Sequence, residues 1–180
     1  ARRDAAYLKG IDSTYAAEVE SLLAVDEWIE RFYQRLAELG VLDKTTIIFT
    51  SDNGLFHGEH GLAQKGLLYE EAVHVPLIIR GGGLPAGATA DQLVSNVDLA
   101  PTILALGGAS PTVPLDGRSL LPLATQKDQA DTRAILLEQW YTYTSMSTQG
   151  VRHGDWAYFE WREGDRERVA DRELYDLSKD

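Results

Sequence analysis

The 180-residue chain contains no cysteine and a single methionine. Without cysteine it can form no disulfide, no thiolate metal site and no cysteine nucleophile of its own. Positive charge is also scarce: 17 Lys and Arg stand against 28 Asp and Glu, for a net charge of −11. The basic residues are scattered, which argues against nucleic acid as a partner, since that needs clustered Lys and Arg. Several gather between Arg162 and Arg172, but Glu and Asp interrupt them as in a solvated hairpin. No apolar run approaches the ~18 residues of a membrane-spanning helix. No segment has the layout of a signal peptide. Two catalytic signatures are missing as well: the Gly-x-Ser-x-Gly nucleophile elbow and the Gly-x-x-x-x-Gly-Lys phosphate loop.

What is present is ordinary globular material, 44% hydrophobic and 25% charged, enough for one domain with a small appendage. Ser13 or Thr14 predicts a helix cap, and Val19, Leu22, Leu23, Ile29, Phe32, Leu36 and Leu39 form a helical stripe that Gly40 ends. Thr45–Thr50 (TTIIFT) predicts a buried strand and Val75–Arg80 another, with a short helix or irregular segment over Leu67–Val73 between them. A brief strand is expected at Leu93–Ser95. A helix follows over Asn96–Leu106, with Pro101 near its start and Gly107-Gly108 as its stop. This order suggests an α/β sheet domain over residues 1–124. The pattern then changes. Ile135–Tyr143, a hairpin over Gly150–Trp161 turning at Gly154-Asp155, and Glu173–Leu177 predict a small antiparallel β subdomain over residues 125–180.

The densest chemistry lies in Thr50–Gly66, TSDNGLFHGEHGLAQKG. Asp52 and Asn53 are expected at the C-terminal end of a central parallel strand, where open α/β sheets place ligands. A carboxylate beside an amide oxygen suits a hard cation such as calcium or magnesium. The same three residues, Asp-Asn-Gly, also make a plain Asx turn. Lys65 adds a compact ammonium that suits a tetrahedral oxyanion. His57, Glu59 and His60 come near a zinc-protease pattern, but the spacing is wrong and Gly54, Gly58 and Gly61 oppose the required helix. The stretch offers cation ligands and anion-binding charge but no attacking group.

Taken in order, these segments resemble the formylglycine-dependent sulfatases of the alkaline-phosphatase superfamily. The resemblance rests on Thr45–Gly54 with its Asp52-Asn53-Gly54, on Gly58-Glu59-His60-Gly61, Lys65, Tyr69-Glu70 and Val75–Ile78. It continues through Val97–Thr102, Asp116–Leu120, Gly154–Trp156 and Glu173–Leu177. It implies that Asp52 and Asn53 are ligands of calcium or another divalent cation. It implies that Lys65 binds the sulfate of a sulfate-ester substrate and stabilises charge as the ester breaks. His60 and His57 would line the pocket, His60 on the catalytic side and His57 on the substrate side. Asparagine at position 53 resembles sulfatases more than the phosphatase branches, which tend to carry histidine there.

The family's nucleophile is a formylglycine made from Cys or Ser in a Cys/Ser-x-Pro-x-Arg motif, and that motif is absent here, as is the family's N-terminal pair of metal-binding aspartates. The expectation is therefore a C-terminal portion of a sulfatase whose remaining half would be its partner. The implied reaction of the complete enzyme is attack of the hydrated formylglycine on sulfur, departure of the alcohol and elimination of the bound sulfate. The alternatives are a phosphonate or phosphate monoester hydrolase of the same superfamily or, for the chain by itself, a non-catalytic module that binds anions or a partner.

Overall fold

Asp4 opens the first helix, its carboxylate accepting the Tyr7 N–H at 2.9 Å. The computed structural model describes residues 4–124, 133–140, 146–163 and 168–179. Helix α1 runs Ala5–Glu38. It starts earlier than the expected cap, so Ser13 and Thr14 lie inside it. Thr14 is accommodated there because its hydroxyl bonds back to the Gly10 carbonyl at 3.0 Å. Gly40 ends the helix as expected, with φ of +66°. No residue of α1 is buried. Leu22 and Leu23 of the apolar stripe, and Trp28 beside it, are all more than half exposed. Among the described residues, no helix is long and apolar enough to cross a membrane.

The chain divides into two compact units, Ala1–Gly82 and Gly83–Asp180. In the first, strand β1 (Ile47–Thr50) pairs with a later strand at Leu77–Arg80, Thr50 lying opposite Leu77 and Ile47 opposite Arg80. Between them stand β2 (Phe56–His57) and β3 (Ala63–Gln64), an antiparallel pair, and the single turn of α2 (Glu70–Val73). The strand at Leu77–Arg80 is β4.

Two expectations are corrected here. The sequence suggests that Asp52 and Asn53 end a central parallel strand, yet β1 and β4 are antiparallel and form a two-stranded sheet. The chain leaves β1 at Thr50 and re-enters beside it at Leu77. A parallel return would need a crossover to the far end, and α2 is too short for that. Nor is β1 fully buried: with one strand neighbour among the described residues it is half-buried, and Phe49 and its opposite residue Ile78 are exposed.

In the second unit Leu93–Ser95 forms no strand; Ser95 instead begins a capping box with Asp98, around the 3-10 turn Asn96–Asp98. Helix α3 (Leu99–Leu106) follows, with Pro101 in its first turn, where no N–H is required. The expected antiparallel subdomain is a four-stranded meander: β5 (Ala134–Trp140), β6 (Met146–His153), β7 (Trp156–Glu163) and β8 (Arg168–Asp176). Its central turn is Gly154-Asp155. Residues 141–143, part of the expected first strand, lie outside the described residues, as do 164–167 of the Arg162–Arg172 stretch. Ile135, Ala157 and Phe159 face the core, while Leu136, Trp156 and Leu174 are exposed, the alternation of a one-sided sheet.

A buried carboxylate locks this unit. Asp98 is fully buried. It takes two bonds from the Arg133 guanidinium, at 2.5 and 2.9 Å, one from the Arg118 N–H at 2.8 Å and one from the Ser95 N–H at 2.9 Å. Burial pushes this carboxyl up. The Arg133 guanidinium and the two N–H groups outweigh that and hold it below the usual carboxylate range. Thr102, also buried, donates to the Asp98 carbonyl and accepts the Leu120 N–H. A Cβ on Gly117 would stand 2.0 Å from the Val97 carbonyl oxygen. The Val97–Thr102 and Asp116–Leu120 motifs thus form one structural joint.

Candidate active site

The polar loop begins where β1 stops. The Ser51 hydroxyl donates to the Asn53 carbonyl at 2.8 Å, and the Asn53 N–H donates to the Asp52 carboxylate at 2.9 Å. The Asn53 carboxamide nitrogen donates to the Gly54 carbonyl at 3.0 Å, which fixes the amide orientation and turns its oxygen outward. That oxygen accepts the Lys65 ammonium at 2.9 Å. The predicted Lys65 and Asn53 therefore meet, with the Asp52 side chain on the adjacent residue.

Gly54 seats this turn against α2. Its N–H donates to the Ala72 carbonyl at 2.9 Å, and its α-carbon comes so close to the Glu71 carbonyl that no side chain fits. The approach brings Glu71 to the foot of the site. Oxygen Oε2 of Glu71 is buried without a hydrogen-bond partner among the described residues and lies 3.5 Å from His60 Nε2, an ion pair when the imidazole is protonated. His60 adopts φ of +53°, rare for a residue with a side chain. Its ring stacks on Tyr69 at 4.2 Å, with Phe56 edge-on to both.

His57 is placed differently. Its Nε2 lies 2.6 Å from the Glu18 carboxylate of α1, and Tyr15 meets its ring edge-on at 5.0 Å. Its N–H is bound by the Glu59 carboxylate at 2.6 Å. The N–H of Glu59 itself and that of His57 hold the Glu59 carboxyl below its ordinary value.

Sequence reasoning missed Glu18 and Glu71. Glu71 had a weak signal, the acidic Glu70-Glu71 pair after a tyrosine. Glu18 had none: it looks like any solvent-facing helix carboxylate, 39 residues from its partner.

As a cation site the loop fits in kind and only in part. Carboxylate and amide oxygens suit calcium, which takes six to eight oxygens, and an amide oxygen has two lone pairs, so Asn53 can serve both Lys65 and a cation. Among the described residues, no three His, Cys, Asp or Glu side chains converge to hold a metal. By residue type, Lys65 suits an oxyanion and Asp52 and Asn53 suit a hard cation.

Residues 3–109 match the family model described as Sulfatase, and residues 58–180 match that described as N-sulphoglucosamine sulphohydrolase, C-terminal. An N-acetylglucosamine-6-O-sulfatase of Bacteroides thetaiotaomicron is 35% identical over 89% of this chain and 29% of its own length. The human N-acetylglucosamine-6-sulfatase is 36% identical over 72% of this chain and 24% of its own. A structure solved in complex with its substrate, D-glucosamine-2-N,6-O-disulfate, superposes with a TM-score of 0.77 at 33% identity, over 88% of this chain and 33% of that one. The phosphonate monoester hydrolase of Agrobacterium radiobacter superposes with a TM-score of 0.72 at 29% identity, over 87% of this chain and 33% of that one. The chain thus spans about a third or less of the proteins it matches. The chain forms part of the alkaline-phosphatase-like α/β fold, with a C-terminal four-stranded antiparallel sheet. The chain belongs to the sulfatase family.

Proposed function

We propose that the whole protein hydrolyses sulfate esters and that this chain supplies the charge-stabilising half of its site. The observation that carries the proposal is the Lys65 ammonium, 2.9 Å from the Asn53 amide oxygen in the loop that follows β1. An ammonium has three donors. One is on Asn53, leaving two to turn toward the oxygens of a sulfuryl group. His60, stacked on Tyr69 and paired with Glu71, is assigned to the pocket wall. A calcium or other divalent ion held by Asp52 and Asn53 would supply Lewis-acid stabilisation of the same oxygens. The attacking group implied by the family, a formylglycine, belongs to residues outside this chain. We assign the catalytic part to residues 1–124 and the appended sheet to 125–180. The rest of the whole protein is the proposed cover for the open apolar face of α1, because such a face is rarely left to water.

The relatives support a substrate class: two are N-acetylglucosamine 6-sulfatases, and one solved structure holds a sulfated glucosamine. A sulfated amino sugar is therefore the proposed substrate. The test is turnover of the whole protein on glucosamine 6-sulfate and an aryl sulfate, beside the matching phosphate and phosphonate esters. Faster hydrolysis of sulfates supports the proposal. Preference for phosphonate or phosphate would favour the second reading, a phosphonate or phosphate monoester hydrolase, which the likeness to the Agrobacterium enzyme keeps in view.

A further inference from the structure

Lys65 lies in a segment that cannot hold itself. Strands β2 and β3 are joined by two residue pairs, Phe56 with Gln64 and His57 with Ala63, far short of a self-supporting hairpin. Lys65 leaves β3 between two residues of positive φ, Gln64 at +70° and Gly66 at +117°. A side-chain-bearing residue keeps such a conformation only where its surroundings impose it. The constraint comes largely from one stripe of α1. Tyr7 donates its hydroxyl to the Gly61 carbonyl at 3.2 Å, and the Ile11 side chain abuts Gly58. Tyr15 meets the His57 ring, and Glu18 takes its Nε2 at 2.6 Å. Residues 7, 11, 15 and 18 recur at helical spacing, so this face of α1 is built to receive the loop. Among them the Glu18 carboxylate makes the strongest kind of contact, a short bond of the charge-assisted type. It acts on the strand residue opposite Ala63, two positions before Lys65.

We propose that Glu18 is a positioning residue for Lys65: through the His57 imidazole it fixes the β2–β3 hairpin and so sets the ammonium against Asn53. This gives His57 a place in the frame of the site. The inference rests on the reading of Lys65 as the group that stabilises sulfuryl charge.

The test uses the whole protein, with Glu18→Ala, Glu18→Gln and Lys65→Ala, and reads both turnover and hydrogen exchange over residues 56–66. Misplacement of a charge by a fraction of an ångström is expected to lower kcat roughly tenfold in Glu18→Ala, with KM changed by less than about twofold. Glu18→Gln, which still accepts from a neutral imidazole, should recover most of the loss. Glu18→Ala should add nothing in the Lys65→Ala background, because both act through one ammonium. Exchange over 56–66 should quicken in Glu18→Ala while exchange in the rest of α1 stays unchanged. The same fractional loss with and without Lys65, or unchanged exchange over 56–66, would overturn the inference. If the whole protein turned over no sulfate ester, the sulfatase reading would fall by itself. The exchange arm would then decide whether Glu18 holds the hairpin.

Discussion

A Cβ built on Gly54 stands 1.9 Å from the carbonyl oxygen of Glu71, so the turn carrying Asp52 and Asn53 and the start of α2 are in direct backbone contact. Gly54→Ala must push them apart and break the bond from the Gly54 N–H to the Ala72 carbonyl. Overpacking of this kind costs about 1–3 kcal/mol. The expected result is a lower urea midpoint at unchanged slope. A midpoint equal to that of the parent chain would show that the two segments are not so closely seated.

The joint around Asp98 makes a second, independent prediction. Arg133→Ala leaves a buried carboxylate without its counter-charge and is expected to cost about 3–5 kcal/mol. The pH dependence follows from the depressed Asp98 carboxyl. Its folded pKa lies below 3.8, the ordinary aspartate value that represents the unfolded chain. Its contribution is therefore complete above that value and is lost as pH falls through the folded pKa. Parent and Asp98→Asn chains, unfolded by urea at a series of pH values, should show this. The parent should lose stability more steeply below pH 3.8. Parallel curves would remove Asp98 from the account.

The legible parts of this molecule were those set by local pattern. The β6–β7 hairpin could be read because Gly154-Asp155 is turn chemistry flanked by alternating strand residues. The end of α1 could be read because Gly40 takes a left-handed conformation easily. The helix start was missed because Asp4 caps it, and Ser13 and Thr14 look like caps while being tolerated inside. The direction of β4 was missed because a hydrophobic run carries no sign of orientation; only the connection sets it. At the site, the short loop from Asn53 to Lys65 put both within reach of one ion, and the family resemblance supplied only their roles. The Glu18–His57 and Glu71–His60 pairs are tertiary, and no spacing rule connects them.

Calcium should do little for chain 1–180 by itself. Asp52 and Asn53 supply two of the six to eight oxygens such an ion takes, which leaves most of the shell to water. Stabilisation depends on the ratio of free ligand to dissociation constant. About 1 mM calcium is therefore expected to raise the melting temperature by less than roughly 1 °C, and no aryl sulfate should be turned over. A rise of several degrees, or turnover by this chain alone, would refute the idea of a half-site.

In the whole protein Lys65→Ala is expected to lower turnover strongly while leaving the fold nearly intact. Lys65 is exposed, lies between Gln64 and Gly66, and has little packing to lose. The sulfuryl oxygens are already anionic and the departing alkoxide adds charge in the transition state. An ammonium fixed beside them in a partly dry site contributes roughly 2–4 kcal/mol, about two to three decades in rate. Lys65→Arg should rescue only in part: a planar fork cannot reproduce a compact ammonium that shares its protons between Asn53 and a tetrahedral anion. Turnover of a chromogenic sulfate ester, measured beside thermal melting, separates the outcomes. Wild-type turnover in Lys65→Ala would take the lysine out of the site. Loss of activity that merely tracks loss of folding would make it structural, because removing a charge that acts on the transition state lowers kcat without moving the melting temperature.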